Sequence, residues 1–204
     1  MARFDAAFYD RDTRLVAREL LGKYLVRRWE GATLVCRITE TEAYIGRMDK
    51  ACHAYQYRRT ARTEPLFAPP GHAYVYLIYG MYHCLNLVTE AEGEPAAVLI
   101  RGGQPVAGLA QMALLRYGNA SEELTAYQSR NLMNGPGKLC KALSITRADN
   151  LADLTGDALY VCAAPKDAGL PVPAQPVGEV HVTKRIGIDY AEEAADFPWR
   201  YYID

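Results

Sequence analysis

The spacing of apolar and polar positions changes several times along the chain. Between residues 14 and 21 (RLVARELL) apolar residues recur at helical spacing, with Thr13 placed to cap the helix and Gly22 to end it. Residues 33–44 (TLVCRITETEAY) alternate with period two and read as a strand. Leu34, Cys36, Ile38, Glu40, Glu42 and Tyr44 then share one face, and Val35, Arg37, Thr39 and Thr41 the other. From 45 to 72 the period is lost among Gly46, Pro65, Pro69, Pro70 and Gly71, which predicts a long loop of the functional kind. AYVYLIY (73–79), YHCLNLV (82–88) and AAVLIR (96–101) predict a β-meander broken at Gly80. Helices are predicted over 105–117, ended by Gly118, over 122–132, and from Pro136 through GKLCKAL. Strands near 158–163 and 177–183 complete the sheet, with a Pro-rich surface loop at 165–176. No repeat or heptad run interrupts this order, so one domain spanning 1–204 is expected.

Composition narrows the class. Half of the 204 residues are hydrophobic and 23% are charged, which suits a globular chain with a sizeable core. The 23 Lys and Arg against 24 Asp and Glu leave a net charge of −1, which excludes coating nucleic acid by bulk charge but allows a local basic groove. No apolar run reaches the length of a membrane span, and the charged start (MARFDAAFYDRDTR) does not read as a signal peptide. The five cysteines are scattered, odd in number and without a C-x-x-C pair. They read as reduced thiols of a cytoplasmic protein, with neither a disulfide framework nor a zinc site. Tyrosine is over-used, at 15 against 4 Phe and 2 Trp, and suits either a core with a wet edge or a binding surface.

Four features carry candidate chemistry. Glu42 and Tyr44 end the apolar face of the alternating strand. A carboxylate there is either a solvated strand end or a buried group used as an acid or base. Tyr74 and Tyr76 face one way on their strand, with Tyr79 and Tyr82 around the turn at Gly80. This run fits either a Tyr-rich core strand or a platform that stacks a flat ring with a protruding aromatic at its tip. The adjacent Arg58, Arg59 and Arg62 favour a nucleobase. His53, Asn86 and Arg101 are polar groups at loop, mid-strand and strand-end positions, each singly compatible with a structural role. NGPGKLCKAL (134–143) has a Gly-rich helix start with Lys138, able to hold one phosphate. It lacks the G-x-x-x-x-G-K-[ST] spacing of nucleotide hydrolysis. The signatures of zinc proteases, serine hydrolases and zinc deaminases are absent from the sequence.

Seven stretches in order, ETEAYIG (40–46), ACHAY (51–55), PPGHAYVYLIYGMYHCLNLV (69–88), AVLIRG (97–102), NGPGKLCKAL (134–143), KRIGIDYA (184–191) and FPWRYYI (197–203), closely resemble the alkyladenine (3-methyladenine) DNA glycosylases. The resemblance spans nearly the whole chain and departs at ARTEP (61–65), where relatives often carry Pro and Asn in place of Ala61 and Thr63. It implies an α+β fold, one mixed domain with a curved, mostly antiparallel sheet flanked by helices. It also implies a monomeric, monofunctional enzyme that excises alkylated or deaminated purines from double-stranded DNA without metal or other cofactor. Glu42 is then the general base, and Arg101 helps to position the water. Tyr44, His53 and Tyr76 line the pocket of the flipped base, and Asn86 rejects guanine through its exocyclic amine. Tyr79 is the wedge left in the duplex. Met81 and Tyr82 touch DNA from the same tip, and Arg58, Arg59, Arg62 and Lys138 are candidate backbone contacts. Two rivals stay open: a non-catalytic nucleic-acid-binding module built on the tyrosine platform, which needs no Glu42, and a hydrolase of free nucleosides, which needs no Tyr79.

Overall fold

The computed structural model describes residues 3–204 and has an α+β fold built on one eight-stranded sheet with every pairing antiparallel. The strands are β1 (Tyr24–Trp29), β2 (Ala32–Ile45), β3 (Ala73–Ile78), β4 (Tyr82–Val88), β5 (Ala96–Ala107), β6 (Leu159–Cys162), β7 (His181–Thr183) and β8 (Arg200–Tyr202). Their spatial order is β3-β4-β5-β2-β1-β6, with β8 against β2 and β7 outside β8. The helices are α1 (Ala6–Tyr9), α2 (Thr13–Glu19), α3 (Leu109–Tyr117), α4 (Ala126–Asn131) and α5 (Pro136–Ala142). Among the described residues no helix is long and apolar enough to cross a membrane.

The meander of β3, β4 and β5 forms as the alternation predicts, and α5 starts at Pro136. Other boundaries move for identifiable reasons. Asp12, not Thr13, caps α2: its carboxylate accepts from the N–H groups of Arg14 and Leu15, while Thr13 is buried, its hydroxyl bonded to Glu90 and near Thr89. β5 continues to Ala107, and α3 begins only after Gly108, whose φ of +82° ends the strand. α4 is shorter than predicted because the capping box of Thr125 and Gln128 starts it late. The predicted strand at 177–183 shrinks to β7. Residues 171–180 lie outside the ladder, and side chains tether them instead: Arg37 donates to the Pro176 carbonyl at 2.7 Å and the Gln175 N–H to the Tyr24 hydroxyl at 3.0 Å. β1 and β8 carry no alternation clear enough to be predicted.

One feature of β2 places the site. Along one edge β2 pairs with β5. Along the other it pairs first with β1, through Tyr24 and Arg37, and then with β8, from Glu40 onward. Where the partner changes, the register against β5 slips on both sides of Glu40. The main core therefore takes Leu34, Cys36 and Ile38 before the slip but Ala43 and Ile45 after it. A one-residue bulge turns every later side chain to the opposite face. The simple alternation had put Glu42 and Tyr44 on the Leu34 face; they stand on the other one. Gly102 and Gly103 of β5 face the slip, and a Cβ on Gly103 would lie 3.0 Å from the Cys36 sulfur and 3.1 Å from the Arg37 carbonyl oxygen.

Across the sheet from the main core, Cys52, Ala54, Leu66 and Phe67 of the 45–72 segment pack with Tyr74, Val88 and Ala97 of the meander into a second core, with Tyr44 and Tyr76 packed against it. The segment is ordered, with short 3-10 turns at Tyr55–Tyr57 and Glu64–Phe67.

Gly103→Val should lower stability by about 1–3 kcal/mol, the usual cost of overpacking, because Cys36 and the Arg37 backbone must move. Urea denaturation checks this. A value below about 0.5 kcal/mol would mean that the slip tolerates a side chain opposite it.

Candidate active site

The face exposed by the slip looks into a cavity of about 610 Å³, within the range of small-molecule sites. Tyr44, His53, Tyr74, Tyr76, Asn86 and Arg101 line its wall, and Tyr79, Tyr82 and Lys138 are at its rim. Glu42 sits behind Tyr44 with no exposed surface. Its Oε2 accepts from the Tyr44 hydroxyl at 2.8 Å and its Oε1 from the Ile186 N–H at 2.8 Å, with Arg101 Nε 3.5 Å from Oε1. Burial raises the Glu42 pKa above the ordinary carboxylate value, against the lowering pull of Arg101 and the two hydrogen bonds. Arg101 also donates to Glu40 at 3.0 Å, and Arg200 donates to the same Glu40 oxygen at 2.5 Å. Two carboxylates and two guanidinium groups thus form one balanced cluster beneath the cavity, and Glu40 is part of it rather than a solvated strand end.

The tyrosine wall is neutral. Burial pushes Tyr74 up to about 12 and raises Tyr44 and Tyr76 as well. Tyr74 and Tyr76 rings lie 5.2 Å apart, and the His53 ring meets Tyr76 edge-on at 4.7 Å. His53 Nδ1 is 2.9 Å from the Tyr74 hydroxyl, and Arg62 donates to Nε2 at 3.3 Å. Nε2 therefore accepts and Nδ1 carries the hydrogen. Burial first, and Arg62 second, lower the His53 pKa to about 4, so the ring is neutral at pH 7. The Asn86 amide nitrogen donates to the Tyr74 and Cys84 carbonyls at 3.1 and 3.5 Å, which fixes the orientation of the amide.

The hairpin tip joins β3 to β4 at the rim. Tyr79 and Gly80 have φ of +53° and +70°, the signs of a primed hairpin turn. Tyr79 is 81% exposed and Met81 67%, so among the described residues nothing covers the apolar surface of the tip. Tyr82 packs on the start of α5, where a Cβ on Gly137 would come within 2.8 Å of it. Lys138 is held by the amide oxygens of Asn131 and Asn134, each at 2.8 Å, which orients its ammonium without neutralising it.

The three loop arginines separate. Arg59 is spent on Glu64, in two bonds of 2.7 and 2.8 Å, and on the Phe67 ring. Arg62 leans on His53 and on the Tyr76 ring. Arg58 is exposed and makes no ion pair among the described residues.

Pattern reading missed Arg185. Its guanidinium is fully buried, bonded to Asp49 at 2.5 and 2.8 Å and to the carbonyls of Ala43 and Ala194. It lies 4.6 Å from the Tyr44 ring centre and 5.1 Å from that of Trp199. It thus holds Tyr44 from behind and precedes Ile186, whose N–H holds Glu42. No local period marks an arginine whose partner Asp49 is 136 positions away.

This fold and pocket agree with what the chain resembles. The family model for methylpurine-DNA glycosylase (MPG) matches residues 7–204. Relatives from Alkaliphilus oremlandii (51% identical over 98% of this chain and 95% of the relative), Clostridium perfringens strain 13 (52%, 98% and 95%) and Desulfitobacterium hafniense strain Y51 (48%, 100% and 96%) carry the provisional name 3-methyladenine DNA glycosylase. The chain belongs to the methylpurine-DNA glycosylase family.

The raised Glu42 pKa gives a stability prediction with a definite sign. A carboxyl whose folded pKa is raised stabilises the fold below its unfolded pKa and loses that contribution as pH rises through the folded value. Glu42→Gln keeps the shape and removes the charge, so its Tm should exceed that of the wild type at pH 7. The gap should close below the ordinary Glu range. A lower Tm for the variant at pH 7 would show that the Arg101 pairing outweighs the cost of burial.

Proposed function

We propose that the protein removes damaged purines from double-stranded DNA by flipping the base into the tyrosine-lined cavity and hydrolysing its N-glycosidic bond. The observation that carries this reading is Glu42: a carboxylate with no exposed surface, its proton affinity raised, directly behind two residues that line an aromatic pocket, Tyr44 and Arg101. A stacking module has no use for such a group and would gain stability without it. The exposed tip of Tyr79 and Met81 argues against a hydrolase of free nucleosides, which needs no apolar wedge beside its pocket.

The chemistry follows from the placement. Tyr44 and Tyr76 hold the purine by stacking, worth on the order of 1–3 kcal/mol per ring contact. An alkylated base pairs poorly, so it leaves the duplex at lower cost. A water between Glu42 and Arg101 gives a proton to Glu42 while its oxygen bonds to the sugar carbon. The glycosidic bond breaks, and its electron pair leaves on the base nitrogen. For a base that is cationic through alkylation, this releases a neutral molecule. Burial makes Glu42 a better base than an exposed carboxylate, and its charge opposes the positive charge that develops on the sugar. Asn86, locked by the Tyr74 and Cys84 carbonyls, stands where an exocyclic amine of guanine would clash. Arg58 and Lys138 are the loop and rim cations oriented to meet phosphates.

Glu42→Gln should reduce single-turnover release of 3-methyladenine from methylated duplex by at least about 10²-fold, with binding to damaged duplex retained. Release near the wild-type rate would remove Glu42 from the chemistry. Tyr79→Ala should leave the fold intact and shift the flipping equilibrium toward the stacked base, read with a fluorescent base analogue. An unchanged equilibrium would mean that the tip does not enter the duplex.

A further inference from the structure

We propose that Arg62 is a specificity-determining residue that biases the pocket against cationic bases and toward neutral ones. The proposal rests on the glycosylase reading of the same cavity and concerns which damaged purines it prefers. The tyrosine wall alone favours a cation, because an electron-rich ring face attracts positive charge. Arg62 already supplies one. Its guanidinium carbon lies 5.6 Å from the Tyr76 ring centre, and it has no carboxylate partner among the described residues. A cationic base stacked on Tyr76 would share that ring with a like charge whose guanidinium carbon is 5.6 Å from the ring centre.

The second effect is a hydrogen-bond relay. Arg62 donates to His53 Nε2 at 3.3 Å, so the His53 hydrogen is on Nδ1 and points to the Tyr74 oxygen 2.9 Å away. The Tyr74 oxygen then accepts, and its own hydrogen stays free to donate into the cavity that Tyr74 lines. A hydroxyl donor suits a base edge that presents a carbonyl or an unprotonated ring nitrogen. Charge and donor therefore act in the same direction. Arg62 stands in the exposed stretch 58–62, so solvent screens part of its field and the charge effect is moderate.

The test compares two bases in one duplex background: cationic 3-methyladenine and neutral hypoxanthine. Single-turnover release is measured for the wild type, Arg62→Ala, Arg62→Gln and Arg62→Lys, and the quantity read is the ratio of the two rates, in which shared effects on DNA binding cancel. Removing the charge in Arg62→Ala and Arg62→Gln should raise the ratio of 3-methyladenine to hypoxanthine release by roughly three- to tenfold. Arg62→Lys should keep the ratio within about twofold of the wild type, because the charge stays. If both rates fall together and the ratio is unchanged, Arg62 is only a DNA contact and the proposal is overturned. A ratio that moves equally in Arg62→Lys and Arg62→Ala also overturns it. Release of neither base by the wild type would instead overturn the glycosylase reading on which the proposal rests.

Discussion

A carboxylate with no exposed surface is the constraint around which this protein is organised. Burying Glu42 costs free energy unless its oxygens are satisfied. The fold meets that demand with one near neighbour, the Tyr44 hydroxyl two residues away, and two distant groups, the Ile186 N–H and the Arg101 guanidinium. Each partner is itself held. Arg101 shares Glu40 with Arg200, and Arg185 locks both the Tyr44 ring and the segment that carries Ile186. The result is a carboxylate of raised proton affinity held by three partners beside the cavity.

The same arrangement separates two kinds of work. Residues on the cavity side of the sheet combine a small apolar core with the polar and aromatic side chains of the cavity wall. Residues on the other side, where α2, α3 and α5 pack, form the main apolar core. The bulge in β2 makes this possible within one strand. Its first half contributes Leu34, Cys36 and Ile38 to the core, and its second half turns Glu42 and Tyr44 toward the cavity while Ala43 and Ile45 keep the core continuous. The exchange of β1 for β8 along the edge of β2 coincides with the slip. The backbone irregularity is thus part of how the site is aimed.

The charge distribution has a similar logic. A net charge of −1 leaves little long-range attraction for DNA, yet the cavity rim and the 45–72 segment hold Arg58, Arg62 and Lys138 without carboxylate partners among the described residues. Several acidic residues are instead held in pairs, such as Glu64 with Arg59 and Glu192 and Glu193 with Lys50. Local cations beside an apolar tip fit the duplex binding proposed above.

Much of this was legible in the sequence because it depends on local pattern. Period-two alternation marks the meander, Pro136 marks the start of α5, and the seven matching stretches identify the family and single out Tyr44, Tyr76 and Asn86, which line one cavity, with Glu42 behind Tyr44. What needed the folded chain depends on long-range partners. Alternation counted straight through 33–44 set Glu42 on the wrong face, because a bulge is a property of two paired strands and leaves no mark in the spacing of one. Arg185 looked like any charged residue until Asp49, Tyr44 and Trp199 were seen around it. Arg58, Arg59 and Arg62 are equivalent as letters. Only the packing of the loop gives one to Glu64, one to His53 and Tyr76, and leaves the third without an ion pair among the described residues. Local propensity is read from neighbours a few residues away, whereas the aim and charge of a buried group are fixed by neighbours that only folding brings near.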